Sequence, residues 1–265
     1  MKTLVAVVFS ILLIGYIGAD VSAQRPVPRD RGVMFETLGL TPEQKAKLKM
    51  LLRGNRDEAH KAQQALMEER MRLFATYDDY QLNASRARQT MAKMNRLQLD
   101  LLNASLGREI ALRRVLTADQ FGRMKRNMGP DPFGRQRWGG PRRMEPREGG
   151  RRLPELGLSP DQQGAVEKVW KLHETQVGET GRAMARDLVA VKRLYENYRL
   201  DEGAAKRLIS NVNKAQAHER QLRLDWQVEM RKILSQDQFR ALTQHIKKSF
   251  GPPRGFGPRP HRAPR

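Results

Sequence analysis

Apolar and small residues recur at alternating three- and four-residue steps along the segment that follows Thr41. They are Leu48, Leu52, Ala59, Ala62, Leu66 and Leu73, with Asn55 and Glu69 at the intervening places. This period predicts a long helix with one narrow apolar stripe of the coiled-coil type. A second stripe follows Asn83, at Ala87, Met91, Met94, Leu102, Leu106 and Ile110. Strand-like alternation is not evident, so the sequence predicts an all-α fold.

The same arrangement returns 118 residues later. One stripe contains Val166, Trp170, Val177, Thr180, Met184 and Val191, with His173 and Asp187 at the intervening places, and the next contains Ala205, Ile209, Val212, Arg220, Leu224 and Val228. Identities at this offset include Tyr77/Tyr195, Tyr80/Tyr198, Asn95/Asn213, Arg113/Arg231 and Phe121/Phe239. The chain is therefore predicted to carry two tandem repeats. We interpret the acid shared by both stripes, Glu69 or Asp187, as register control or partial exposure rather than a ligand contact.

Four copies of one short motif mark the predicted helix starts. Each has Thr or Ser at the N-cap and Gln three residues later: Thr41 with Gln44, Thr117 with Gln120, Ser159 with Gln162, and Ser235 with Gln238. The hydroxyl can accept a backbone N–H of the first turn, and the glutamine can accept the N–H of the cap residue. Four capping boxes are predicted, and the second and fourth begin a short third helix in each repeat.

The chain divides into segments of different composition. We predict a signal peptide at 1–23, an N-terminal arm at 24–37, repeat one at 38–128, an Arg/Gly/Pro-rich linker at 129–155, repeat two at 156–250 and a basic disordered tail at 251–265. Lys2 precedes an apolar run, and small residues precede the expected cleavage after Ala23. An uncleaved anchor is the alternative, but the run is shorter than the roughly twenty residues that span a bilayer.

Composition narrows the possible chemistry. The chain has no cysteine, which excludes disulfides and thiolate metal ligands, and its formal net charge is +21. Much of this charge lies in the linker and tail, whose Arg, Gly and Pro content is typical of disordered arms. Such arms could bind an anionic envelope surface through electrostatics.

Three stretches of the first repeat carry a family resemblance. They are Leu38-Gly39-Leu40-Thr41-Pro42-Glu43-Gln44-Lys45, Glu68-Glu69-Arg70 and Leu116-Thr117-Ala118-Asp119-Gln120-Phe121. They resemble the Spy/CpxP family of periplasmic chaperones, the LTxxQ-motif proteins, and the resemblance covers residues 38–128 and 156–250. It implies thin, curved helical dimers whose basic concave face, with apolar patches, holds unfolded or partly folded proteins without ATP. Two units in one chain then imply an internal pseudo-dimer, or a homo-oligomer in which each repeat pairs with another chain.

Candidate client-binding residues are flexible apolar or basic side chains on the long helices of repeat one. They are Met67, Met71, Met91, Met94, Arg70, Arg72, Arg88 and Lys93. Methionine adapts to many shapes, and cations speed the capture of acidic proteins. For each methionine the alternative is ordinary core packing, and for each cation it is a solvated helix face.

No catalytic, cofactor or metal site is predicted. The histidines are His60, His173, His218, His245 and His261, and none lies three or four residues from another. His173 beside Glu174 is the best pair available to a metal, which is considered because zinc-resistance and metal-sensor proteins resemble this family. No phosphate-binding loop or nucleophile motif occurs.

The family resemblance, together with the predicted signal peptide, implies an ATP-independent periplasmic chaperone that suppresses aggregation of non-native proteins. Two alternatives remain open at this point. One is a regulator of envelope or metal stress, with a sensor kinase as its partner, and this follows only from the family resemblance. The other is a protein that binds anionic envelope polymers through its Arg-rich arms.

Overall fold

The computed structural model describes residues 38–127 and 156–250. They form six helices: α1 Pro42–Asp78, α2 Ala84–Val115, α3 Ala118–Asn127, α4 Pro160–Glu196, α5 Glu202–Ile233 and α6 Gln236–Phe250. These ranges contain no strand, and the all-α prediction is confirmed. No helix among them is long and apolar enough to cross a membrane. The predicted signal peptide, N-terminal arm, linker and tail lie outside the described residues.

Each helix start is fixed by local chemistry. In the first, Thr41 Oγ1 accepts the backbone N–H of Gln44 at 3.2 Å, and Gln44 Oε1 accepts that of Thr41 at 3.0 Å. The other three motifs form both bonds of the capping box in the same way. Gly39 and Gly157 precede the first cap of each unit with φ of 61° and 58°, a region that strains any side chain.

The long helices form two antiparallel hairpins that pack on each other. Helix α1 packs on α2, α4 packs on α5, and the hairpins meet where α2 packs on α5. Arg113, near the end of α2, donates to the carbonyl of Tyr195 before the start of α5. Arg231, near the end of α5, donates to the carbonyl of Tyr77 before the start of α2. Helices α2 and α5 therefore run antiparallel as the central pair.

Two of the buried clusters contain side chains from both hairpins. Leu224 of α5 lies among Leu66, Leu73 and Met91 of the first hairpin. The reverse holds for Leu102 and Leu106 of α2, which pack among Met184, Val191, Tyr195, Ala205, Ile209 and Val212 of the second. The first unit (α1–α3) and the second unit (α4–α6) consequently share a core, and residues 118 apart make matching contacts across it.

One predicted stripe position is wrong. Leu52 is exposed, although its equivalent Trp170 is buried. At the start of α1 the residues that pack on the core are Leu48 and its neighbour on the same face, Leu51. In the second unit both equivalents, Val169 and Trp170, pack on the core. The position of Leu52 therefore lies at the edge of the apolar face, where the longer indole side chain of Trp170 reaches the core and that of Leu52 does not.

Candidate functional site

The motif glutamines of the first unit do more than cap their own helices. Gln44 Nε2 donates to the carbonyl of Val115 at 2.8 Å and to Gln120 Oε1 at 3.0 Å. Gln120 Nε2 donates in turn to the carbonyl of Gly39 at 3.1 Å and to Gln44 Oε1 at 3.1 Å. The two amides thus tie the start of α1 to the start of α3 and leave no donor for a ligand.

The second unit repeats this amide pair. Gln162 Nε2 donates to the carbonyl of Ile233 at 2.8 Å and to Gln238 Oε1 at 3.0 Å. Gln238 Nε2 donates to the carbonyl of Gly157 at 3.2 Å. Sequence reasoning missed this contact because it joins residues 76 positions apart, and capping rules concern only residues within one turn. The motif glutamines therefore join the helices within each unit to one another.

An arginine at the end of α2 joins the first unit to the second. Arg113 Nη2 donates to the carbonyls of Tyr195 and Asn197 at 2.9 and 2.8 Å. Its Nη1 pairs with Glu109 Oε2 at 2.9 Å, and the guanidinium lies 4.4 Å from the centre of the Phe121 ring. Glu109 is 0% exposed, so this ion pair lies within the protein.

Arg231 makes the equivalent contacts at the end of α5. Its Nη2 donates to the carbonyls of Tyr77 and Asp79 at 2.6 and 2.8 Å, and its guanidinium lies 4.0 Å from the centre of the Phe239 ring. Its Nη1 donates to Gln227 Oε1 at 2.6 Å. One junction therefore contains a buried carboxylate and the other a neutral amide.

The structure divides the candidate methionines into buried and exposed ones. Met91 and Met94 lie in the core between α1, α2 and α5, and the Tyr77 hydroxyl donates to Met91 Sδ at 3.7 Å. The expectation that these two side chains meet clients is corrected, because the second hairpin covers them. Met67 is half-buried, and Met71 is 43% exposed.

The candidate cations do not form one patch. Arg72 is exposed beside Met71 and pairs with Glu69 at 2.6 Å. Arg88 and Lys93 are exposed on α2, and Arg70 is half-buried on α1. Among the eight candidates, Met71 and Arg72 are the one pair of neighbours in which an exposed apolar side chain adjoins an exposed basic one.

A shallow groove on α4 adds residues that sequence reasoning missed. It is lined by Ala185, Arg186, Val189, Ala190 and Arg193 and has a volume of about 430 Å³. The groove is an open helix surface with a short apolar strip between two guanidinium groups. It can hold an extended apolar segment only loosely, because nothing encloses such a segment.

Met71 and Val189 occupy equivalent places in the two units, 118 residues apart. Met71 is 43% exposed and Val189 is 51% exposed. Each outer helix therefore leaves an apolar side chain in solvent at the same point along its length. The offset itself was the signal that could have identified Val189 from the sequence.

Cations surround the exposed strip on α4. Arg182, Arg186 and Arg193 are exposed, and within residues 38–127 and 156–250 their side chains form no ion pair or hydrogen bond. Guanidinium groups without a carboxylate partner keep their full positive potential, which raises the encounter rate with acidic chains.

His173 is a core residue. It is buried, its ring centre lies 6.0 Å from that of Trp226, and its Nε2 has no partner among the described residues. Burial, assisted by the charge of Arg223, lowers the pKa of His173 from 6.5 to about 4. The imidazole is consequently neutral at pH 7.

This pKa predicts a pH-dependent loss of stability. The unfolded chain binds a proton at His173 near pH 6.5 and the folded chain only near pH 4, so the free energy of unfolding falls as pH decreases through that window. Comparison with His173→Gln by urea denaturation at several pH values isolates the effect. The stability of the natural chain relative to the variant should fall by up to about 1.4 kcal/mol per pH unit. A constant difference from pH 7 to 4 would contradict the lowered pKa.

No group of three or more metal-ligand side chains is assembled within the described ranges. His173, which the sequence singled out beside Glu174, is enclosed by the aromatic core of the second unit.

Comparison with known proteins covers part of the chain. Residues 131–241 match the family model described as heavy-metal resistance. This match includes α4, α5 and the first turns of α6, and it relates that part of the chain to helical proteins of the Spy/CpxP type. The heavy-metal resistance match does not extend to α1–α3. No curated protein and no solved structure matches the chain.

Proposed function

We propose that this protein is a periplasmic, ATP-independent chaperone that binds unfolded or partly folded proteins and suppresses their aggregation. The observation that carries the proposal is the equivalent exposure of Met71 and Val189 on the two outer helices, each beside arginine side chains. The broad resemblance of residues 131–241 to the Spy/CpxP type supports the same function.

Binding would begin with charge. The formal net charge of +21 attracts acidic clients, and the unpaired guanidinium groups of Arg186 and Arg193 flank the apolar strip on α4. Exposed charges act through solvent and are screened over about 10 Å at 0.1 M salt. This step therefore sets how fast a client is captured and contributes little to how long it stays.

Retention would depend on the apolar side chains. Full burial of a Val or Met side chain contributes about 1.5–3 kcal/mol, and a side chain that starts half-exposed gains a correspondingly smaller amount. Contacts of this size at a few places hold a client weakly, so it can leave or fold without ATP. No catalytic step is part of the mechanism.

The double variant Met71→Ser/Val189→Ser should weaken client binding by about tenfold, because it removes roughly 1–2 kcal/mol of apolar contact. The measurement is light scattering of a denatured acidic protein diluted into buffer with the chaperone and without nucleotide. The chaperone concentration that halves the scattering gives the affinity at low and moderate salt.

The matched control is Met50→Ser/Leu172→Ser. Both are strongly exposed on the same two outer helices, but they do not occupy equivalent places. This control should keep the original activity. Equal loss in both double variants would show that general surface hydrophobicity, and not the Met71 and Val189 sites, holds the client.

The description of the matched family favours one second candidate, a role in metal stress. Such a regulator, acting on a sensor kinase, would not suppress aggregation in this assay and would bind Zn²⁺ in a calorimetric titration. Salt distinguishes the chaperone from a protein that binds anionic polymers through its Arg-rich arms. Any effect of the arms on scattering should vanish at moderate ionic strength, whereas the effect of apolar contacts with the client should persist.

A further inference from the structure

Two arginines occupy places in the shared core that are leucine in the equivalent part of the molecule. Arg70 on α1 corresponds to Leu188 on α4, and Arg220 on α5 corresponds to Leu102 on α2. Leu102 and Leu188 pack in a single apolar cluster. Helix packing at this type of junction is thus achieved with leucine, and the arginines are not needed for it.

The fold brings Arg70 and Arg220 to the same place. Arg70 lies between Leu66 and Leu73 along α1, and Arg220 lies one turn before Leu224 on α5. These three leucines belong to one buried cluster. The charge of Arg70 acts on Arg220, so the two side chains lie close together beside that cluster.

The guanidinium of Arg220 is only partly satisfied. Its Nε donates to Asn95 Oδ1 at 2.7 Å, whereas its Nη2 is buried with no partner among the described residues. Burial and the neighbouring charge of Arg70 lower the pKa of Arg220 to about 10. Burial also lowers the pKa of Arg70. The positively charged guanidinium groups of Arg70 and Arg220 therefore lie close together and are largely removed from water.

The nearby carboxylates do not balance this charge. Arg223 adds a third cation, and Glu219 is the acid that interacts with both Arg220 and Arg223. Glu69, next to Arg70 in the chain, pairs through Oε1 with Arg72, and its Oε2 is buried without a partner in the described structure. Asp225 acts on Tyr77 together with Arg220 and Arg223, so it is a third carboxylate near the cluster. The four guanidinium groups of Arg70, Arg72, Arg220 and Arg223 therefore still outnumber the carboxylates of Glu69, Glu219 and Asp225.

We propose that the cluster of Arg70, Arg220 and Arg223 binds a small oxyanion of the phosphate class at the junction of α1 and α5. Guanidinium groups match the geometry of phosphate oxygens through paired N–H donors. A divalent anion would supply the missing negative charge and accept from the free Nη2 of Arg220. The same chemistry can come from free phosphate or from the phosphate of a lipid headgroup, and the half-buried position favours free phosphate.

The test is thermal unfolding of the full chain in increasing inorganic phosphate, with chloride adjusted to constant ionic strength. Saturating phosphate should raise Tm by about 5–10 °C, which corresponds to a ligand at about one hundred times its Kd. Arg70→Leu/Arg220→Leu reproduces the side chains of the equivalent junction. This variant should fold, should lose the saturable rise, and should have a Tm in chloride equal to or above that of the natural chain.

The matched control is Arg182→Leu/Arg186→Leu on the exposed face of α4, which removes the same charge and should keep the rise. A single Arg220→Lys variant keeps the charge and loses the paired donors, so its phosphate affinity should fall. Vesicles of phosphatidylglycerol are the second probe. If the natural chain binds these vesicles and the cluster variant does not, while inorganic phosphate leaves Tm unchanged, the bound anion is a lipid headgroup. The proposal is overturned if neither anion source shows saturation, or if the α4 control loses the rise as completely as the cluster variant.

Discussion

Arg113→Ala is expected to lower the free energy of unfolding by about 3–5 kcal/mol. The substitution removes the hydrogen bonds to the carbonyls of Tyr195 and Asn197, and it takes one cation away from Glu109, which is 0% exposed. Lys125 at 3.2 Å from Glu109 Oε2 would remain as the other cation. A buried carboxylate that loses an ion-pair partner costs more than the bonds themselves contribute. Urea denaturation followed by circular dichroism measures the change.

The second unit supplies the control for this prediction. Arg231→Ala removes the same bonds to backbone carbonyls and the same contact with a phenylalanine ring, but its side-chain partner is the neutral Gln227. Its cost should be about 1–3 kcal/mol. Equal losses in the two variants would show that the charge of Glu109 contributes nothing to the difference.

Leu224→Ala should cost about 2–5 kcal/mol of unfolding free energy. Leu224 is fully buried, and it is the α5 side chain enclosed by Leu66, Leu73 and Met91 of the other unit. Its removal leaves a cavity at the junction of the two hairpins, where neither can move without breaking the arginine contacts. The loss is measured by the same urea denaturation.

Leu172→Ala is the matched control for the cavity, because Leu172 is 60% exposed on α4. An exposed leucine of this kind should change stability by no more than about 0.5 kcal/mol. If the Leu224 variant were equally mild, the two units would not depend on a shared core. Its effect would then be confined to local packing.

Local features of the fold could be predicted from the sequence. The capping residues and the 3.5-residue stripes each depend on neighbours within a few positions, so Thr41 and Leu66 could be interpreted from the chain alone. The offset of 118 residues also related the caps, the stripes and the junction arginines of one unit to those of the other. Each of these signals is independent of how the helices are arranged in space.

Contacts between the units were beyond such reasoning. A stripe identifies one buried face of a helix, but α2 is a central helix with neighbours on two sides, and the second neighbour covers Met91 and Met94. The sequence shows that arginine occupies both equivalent positions, 113 and 231. It does not show their hydrogen-bond acceptors, because these are backbone carbonyl oxygens, which every residue has. The groove around Val189 depends equally on which face of α4 the packing leaves uncovered.

The reciprocal arginine contacts have a consequence for assembly. Each unit contributes one arginine to the turn of the other, so these arginine contacts are made once in each direction. Two molecules that exchanged their second units would form all of the same contacts between chains, with no new surface required. Such an exchange is the process that produces domain-swapped dimers. At high protein concentration, the balance between the closed single chain and the exchanged pair would then be set by the linker and not by the interface.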